Sequence, residues 1–410
     1  METWWFLILS TISIALLLKA FLNLFYSSNK IPHTLPPGPP TFPIIGNILW
    51  LRKSFSQIEP TLRDLHSKLG PMVTLHIGSR PTVFVFDRNL AHQALVQSGS
   101  LFSDRPKALA TNKVISSNQH NISSAPYGPN WRLFRRNLTS EILHPSRIKS
   151  YSHARKWVLE ILFDGLQSKA KTGEPVQLSQ DQIKEIESVL RKVLLSLGRF
   201  NMLNFWPRVT KVLLRKKWEE FLQLRKDQEN VLIPLIRARK KAKEENLRSK
   251  GSSSDDYVLA YVDTLLDLEL PEEKRKLEEG EMEDTVLGGF LVPKNGTINF
   301  MVADMGWDPK VWEDPMAFKP ERFLKSDGDS KEVFDITGSR EIKMMPFGVG
   351  RRICPGLGLA MLHLEYFVAN LVWKFEWKAI DGDEISLEEK QEFTMVMKTP
   401  LQAHISPRKR

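Results

Sequence analysis

One cysteine, Cys354, lies in the loop Pro346-Phe347-Gly348-Val349-Gly350-Arg351-Arg352-Ile353-Cys354-Pro355-Gly356, and an apolar helical stretch follows it directly. A lone thiol can form neither an internal disulfide nor a zinc site, and it speaks for a reducing compartment without a disulfide framework. Glycines at 348, 350 and 356 keep the backbone slim and let it turn sharply. Turned in this way, backbone N–H groups can point at the sulfur and hold it as thiolate. Arg352 puts a cation two residues away, and Phe347 offers a ring to shield the sulfur from water. The plain alternative is an inert cysteine, packed as a small hydrophobe in a glycine-rich turn.

A thiolate so placed is suited to a single axial bond to a heme iron, and Arg352 to a heme propionate. Phe347, Gly350, Arg352, Cys354 and Gly356 spell Phe-x-x-Gly-x-Arg-x-Cys-x-Gly. With that pattern the chain resembles the cytochromes P450, the heme-thiolate monooxygenases. The resemblance implies an α+β fold, mainly α with small β-sheets, and heme b with Cys354 as the iron's thiolate ligand. It also implies electrons delivered from NADPH by NADPH-cytochrome P450 reductase. Membrane-bound plant members carrying Lys-Met-Met-Pro-Phe-Gly and Gly-Leu-Ala-Met-Leu-His-Leu-Glu are the nearest resemblance, and it covers nearly all of the sequence present.

A second motif is Tyr127-Gly-Pro-Asn-Trp131-Arg-Leu-Phe-Arg135-Arg136. Pro129 sets a helix start, so Trp131 and Arg135, four residues apart, lie on one face. In the resembled family this Trp-x-x-x-Arg pair reaches the heme propionates. Without the family it reads as a surface arginine stacked on a half-buried tryptophan. Further on, Asp308-Pro309, Trp312, Pro315, Phe318 and Pro320-Glu-Arg-Phe323 follow the family's meander. There Arg322 is expected to join a buried ion-pair network near the cysteine loop, and Trp307 stands where many members carry a basic residue.

At the N-terminus, Trp4 to Tyr26 forms an apolar stretch interrupted by Lys19 and Asn23, a length suited to one bilayer crossing. Trp4, Trp5 and Tyr26 stand near its ends, where rings favour the interface. A cleaved signal peptide fits less well, because Met1-Glu-Thr3 has no basic residue and no small-x-small site follows. Leu35-Pro-Pro-Gly-Pro-Pro40 is stiff and extended. The expected organisation is therefore a membrane anchor at 1–28, a proline-rich hinge at 29–41 and a heme domain at 42–410. By resemblance the chain is a single-pass protein of the endoplasmic reticulum membrane, its domain on the cytosolic side. Asn121, Asn137 and Asn295 match the glycosylation pattern but would face the cytosol and stay bare.

Hydrophobic periodicity places a helix at about 58–69 and a hairpin of 72–77 with 82–86. It places further helices near 89–98 and over 146–171, 181–199, 208–248, 255–268 and 356–375. Strands are expected within 285–300 and at 393–397. The net charge of +10 does not point to nucleic acid. Its densest run, Arg237 to Lys243, continues into Glu244 and Glu245 and reads as a solvated helix face, with docking of an acidic redox partner or anionic lipid as the lesser reading. No zinc spacing, Walker loop or aromatic-basic motif occurs.

Two family elements have no counterpart in this sequence. One is the distal helix marked Ala-Gly-x-[Asp/Glu]-Thr, whose acid and threonine manage proton delivery, so no catalytic residue is identifiable. The other is Glu-x-x-Arg before the meander; the matches at Glu245–Arg248 and Glu272–Arg275 fall in charged segments too far upstream. The chain passes from Met282 straight into Glu283, and a smaller gap is expected near 178/179. Together these make the fold internally truncated by about a hundred residues. Losing central apolar helices leaves voids that a stability margin of roughly 5–15 kcal/mol cannot absorb. The expected function is a membrane-anchored heme-thiolate monooxygenase hydroxylating a small apolar substrate with O2. The alternatives are a truncated non-catalytic isoform, pseudogene product or gene-model artefact retaining the proximal heme-binding half, or thiolate-heme sensing or storage without oxygen chemistry.

Overall fold

The computed structural model describes residues 2–26, 34–41, 46–47, 55–77, 80–172, 176–177, 192, 197–204, 207–248, 261–268, 284–294, 296–323, 334–380, 386, 388–391 and 395–408. In chain order the helices are α1 (Glu2–Tyr26), α2 (Phe55–Leu69), α3 (Arg88–His92), α4 (Ala110–Ile115), α5 (Pro129–Glu141) and α6 (Pro145–Ser150). They continue with α7 (Ser152–Thr172), α8 (Pro207–Leu213), α9 (Arg215–Arg248), α10 (Tyr261–Leu266), α11 (Val302–Gly306) and α12 (Leu357–Lys374). The strands are β1 (Met72–Ile77), β2 (Arg80–Val85), β3 (Val176–Gln177), β4 (Thr285–Leu287) and β5 (Phe290–Val292). The remaining strands are β6 (Thr297–Phe300), β7 (Phe375–Ala379), β8 (Glu389–Gln391), β9 (Met395–Met397) and β10 (Gln402–Pro407). Mainly helical with small sheets, this matches the fold class expected from the sequence.

The chain divides into two compact units, Met1–Pro106 with Leu277–Ile353, and Lys107–Lys276 with Cys354–Arg410. In the first, β1 and β2 pair antiparallel with Met72 opposite Val85, and β6 joins β2 in parallel with Thr82 opposite Thr297. Alternation along the strands sends side chains to two faces. Met72, Val83 and Val85 pack with Ala91, Leu287, Met305, Ile342 and Val349, while Val73 and Leu75 pack with Ile58, Leu62 and Phe86. The sheet is thus covered on both sides, which explains why Met72, Val73, Thr74 and Leu75 are all buried. The β4–β5 hairpin turns on Gly288 and Gly289, both at positive φ, as a two-residue turn between such strands requires. Trp307, where the family often has a basic residue, instead accepts the Arg63 guanidinium 4.6 Å from its ring centre. Arg63 also pairs with Asp304 at 2.8 Å.

In the second unit, β10 is the centre of a sheet with β3 and β7, and Leu166 of α7 packs with Phe375 and Ile405. Phe200, Leu203, Trp218 and Phe221 form a second core beneath α4.

Several expectations shift in detail. The helix expected over 146–171 is interrupted at Tyr151, and that over 208–248 at Leu214. Within 255–268 the described helix is only Tyr261–Leu266, and the late strand is described at Met395–Met397. Of the helix expected at 181–199 only 192 and 197–199 are described, the latter opening a 3-10 helix, Leu197–Asn204, while the junctions at 178/179 and 282/283 lie outside the described residues. The basic run on α9 is not a solvated face throughout. Arg239 and Lys243 turn inward, because a buried carboxylate, Asp263, lies beside them. Asn121 and Asn137 of the glycosylation matches hydrogen-bond internally, to Ser123 and Ser124 and to Thr264; Asn295 is outside the described residues. Helix α1 is 25 residues long and exposes Ile8, Leu9, Ile12, Ile14, Leu17 and Leu18. Among the described residues, no helix is long and apolar enough to cross a membrane.

Candidate functional site

The cysteine loop runs from the first unit into the second, and its two halves are held differently. In the first unit, Val349 is buried in the sheet's core, and a single 3-10 turn, Gly350–Arg352, follows. Gly350 sits at φ +77°, and a Cβ there would stand 2.1 Å from the Leu95 carbonyl oxygen. Both facts demand glycine. Leu95 belongs to a π-helical turn, Gln93–Gln97, closed by the Ser98 N–H donating to the Gln93 carbonyl at 2.8 Å. The bulge brings that carbonyl against the loop, and such turns gather at functional sites. Arg352 donates from Nε to the Ser103 carbonyl at 2.7 Å. Phe347 is half-buried in this unit.

Cys354, Gly356, Trp131 and Arg135 belong to the second unit. Gly356 occupies the position just before α12, and a Cβ there would lie 3.8 Å from the Cys354 sulfur. The sulfur therefore stands at a helix N-terminus, where the unpaired N–H groups favour negative charge. The sulfur is exposed. Helix α5 begins at Pro129 as expected, with Gly128 before it. Trp131 is buried, the Tyr127 ring lies 5.1 Å from it, and the Arg135 guanidinium sits 5.9 Å from its ring centre. Burial pulls the Arg135 pKa below its ordinary range, and the negative charge of Cys354 pulls it back up.

Of the predicted site residues, the structure gathers Trp131, Arg135, Cys354 and Gly356 in one unit and holds Phe347, Gly350 and Arg352 in the other. Arg322 is corrected. Instead of a buried ion-pair network, its guanidinium donates to the carbonyls of Asp314, Ala317 and Lys319 within its own turn and lies 5.7 Å from the Trp312 ring centre. The physical reason is the sequence itself, which offers no Glu-x-x-Arg helix before the meander. Glu245 of one stray match pairs with Lys241 at 3.7 Å, and Glu272–Arg275 lies outside the described residues. Leu95, Ser103 and Tyr127 were missed as loop and ring partners, since a carbonyl contact leaves no mark in residue type. Tyr127 alone had a signal, its place four residues before Trp131.

A cysteine sulfur at a helix N-terminus, with glycine beside it and the half-buried Arg135 in electrostatic reach, is the arrangement a heme-thiolate protein needs. The family model for cytochrome P450 matches residues 36–195 and 270–406. Cytochrome P450 89A9 of Arabidopsis thaliana is 44% identical, with 99% of each chain covered. Germacrene A acid 8-beta-hydroxylase of Helianthus annuus is 26% identical over 97% of each, and isoflavone 3'-hydroxylase of Medicago truncatula 25% over 96% of each. The chain belongs to the cytochrome P450 family, an oxidoreductase family whose cofactor is thiolate-ligated heme iron and whose electrons come from NADPH through a reductase. The Arabidopsis alignment spans 523 positions against 410 residues here, so that relative carries more than about a hundred residues without a counterpart in this chain.

Proposed function

We propose that this protein is a membrane-anchored heme-thiolate monooxygenase that hydroxylates a small apolar substrate. The observation that carries the reading is the exposed Cys354 at the N-terminus of α12, with the half-buried Arg135 in electrostatic reach of it. The residues fit the group: Cys354 would bind iron, and Arg135, Trp131 and Arg352 would meet the propionates. Gly350 and Gly356 leave the backbone slim beneath a flat ring, and Phe347 would cover one side of the sulfur. When bound, the heme supplies oxygen activation, which an electron-donating thiolate favours.

The chain's own part is to place the sulfur at the N-terminus of α12, beside Gly356 and within reach of the Arg135 charge. No side chain is assigned to proton delivery, because the sequence carries no Ala-Gly-x-[Asp/Glu]-Thr segment. Two relatives are named for hydroxylating germacrene A acid and an isoflavone, which supports a small, largely apolar substrate here. Coverage of relatives along nearly their whole length favours this reading over a non-catalytic isoform.

The anchor is proposed at 1–28, the hinge at 29–41 and the heme domain at 42–410, on the cytosolic side of the endoplasmic reticulum and served by NADPH-cytochrome P450 reductase. Support comes from the apolar run of Trp4–Tyr26 and from the exposed apolar side chains of α1. A carbon-monoxide difference spectrum of the reduced, heme-supplied protein tests the site. A thiolate-type Soret band is expected; Cys354→Ala must remove it, and its absence from the unsubstituted protein overturns the proposal.

A further inference from the structure

Helix α10 is six residues long, too short to hold itself by backbone bonds alone. Two cations one turn apart on α9 hold it instead. Arg239 grips the Asp263 carboxylate with two N–H groups, Nε to Oδ1 at 2.9 Å and Nη2 to Oδ2 at 2.6 Å. Lys243 donates to the Asp263 carbonyl at 2.8 Å and pairs with Asp267 at 2.5 Å. The Asp263 side chain is 0% exposed, while Arg239 and Lys243 keep 27% and 15%. A carboxylate taken wholly out of water persists only when paired and hydrogen-bonded in this way. Beside Asp263, Thr264 carries the hold onward. Its hydroxyl donates to the Tyr261 carbonyl at 2.8 Å and accepts from Asn137 Nδ2 at 3.4 Å. Asn137 is on α5, two residues beyond Arg135.

We propose that the Asp263–Arg239–Lys243 clamp is a positioning device for α5: it fixes α10 so that Thr264 pins Asn137, and through it sets Arg135 and Trp131 for the propionates. Asp263 acts through α10 and Thr264, so it is a positioning residue. The inference rests on the heme reading given above. A basic run that composition presents as a solvated face thus contains two cations with a structural task, and the same helix keeps Arg237, Lys240 and Lys241 outside it.

The test is hemin titration of the full-length protein in detergent, followed by absorbance, for the native chain, Asp263→Asn, Asp263→Glu and Thr264→Val, each also in an Arg135→Ala background. Asp263→Asn is expected to weaken hemin affinity about tenfold and Thr264→Val about threefold, and both losses should shrink below about twofold once Arg135 is gone, the mark of coupled residues. Asp263→Glu should recover part of the loss. Thr264→Val leaves the ion pair whole, so it carries the test if Asp263→Asn fails to fold, as circular dichroism will report. Equal losses in the two backgrounds, or undiminished affinity in both variants, overturn the positioning role while leaving the heme site intact. A native chain that takes up no hemin with a thiolate-type spectrum overturns the heme reading, and this inference with it.

Discussion

The β1–β2–β6 sheet and helix α12 are both built from strongly apolar sequence, yet only one is buried. Met72, Val73, Val83 and Val85 are wholly inaccessible, whereas α12 has no buried residue and leaves Leu364, Val368 and Val372 at 55%, 53% and 49% exposure. Those three stand at helical spacing and form one stripe. The sheet finds its covers in segments the chain has, namely α2, α11 and residues 342–349. Among the described residues nothing buries the stripe of α12, and it stays in water. Apolar composition therefore requests burial; only the partner segments grant it. The sharpest way to break the comparison is to truncate the covered side. Met72→Ala should cost about 2–5 kcal/mol, read as a fall in the urea midpoint at unchanged slope. A loss no larger than that of an exposed site would mean the sheet's core is as loose as α12's surface.

Next in size is the loop itself. Gly348 and Gly350 share a positive φ, +70° and +77°, but a Cβ at Gly348 meets nothing within 4 Å while one at Gly350 strikes the Leu95 carbonyl. Gly348→Ala should cost about 1–2 kcal/mol from its left-handed backbone alone, and Gly350→Ala a further 1–3 kcal/mol, roughly, from the clash. Thermal melts of the two variants separate the terms. Equal losses would show that the π-helical turn gives way and does not brace the loop.

The contrast also explains what was legible from residues alone. Local rules found the β1–β2 hairpin from period-two alternation and α5 from Pro129, and they marked the cysteine loop through its glycines. The parallel pairing of Thr82 with Thr297 was invisible, because nothing within a window of residues encodes a partner more than two hundred positions away. The π-turn at 93–97 was read as ordinary helix, since its periodicity differs by one residue in five. Arg239 and Lys243 were read as solvated because charge type does not say which neighbour a side chain meets. Arg322 was assigned its family partner, and the partner is missing from the sequence.

A smaller effect lies in the segment that carries Ile342 and Val349 into the sheet's core. Asp335 accepts from the Thr337 hydroxyl at 2.5 Å, the Thr337 N–H at 3.0 Å, the Ser339 hydroxyl at 2.8 Å and the Arg340 N–H at 3.1 Å. These donors, Thr337's hydroxyl foremost, hold its pKa far below the usual carboxylate range. A carboxyl depressed on folding stabilises the fold above its unfolded pKa of about 3.9, and that contribution is lost as pH falls toward the folded value. Melting of the native chain should therefore weaken below about pH 4 relative to Asp335→Asn, which has no such proton to bind. Parallel pH curves for the two proteins would remove Asp335 from the account.

The smallest expected effect sits on the other side of the comparison. Val368 is central in the α12 stripe and half in water, so Val368→Lys removes little buried surface and adds no unpaired interior charge. Stability should change by no more than about 0.5 kcal/mol, and the lower exposed apolar area should raise the concentration at which the protein stays monodisperse. Light scattering and urea unfolding measure the two together. A loss of 2 kcal/mol or more, on the scale of about 1.5–3 kcal/mol for burying such a side chain, would mean that Val368 is covered in solution. The apolar helix would then have found a neighbour, and the difference between the covered sheet and the bare helix would dissolve.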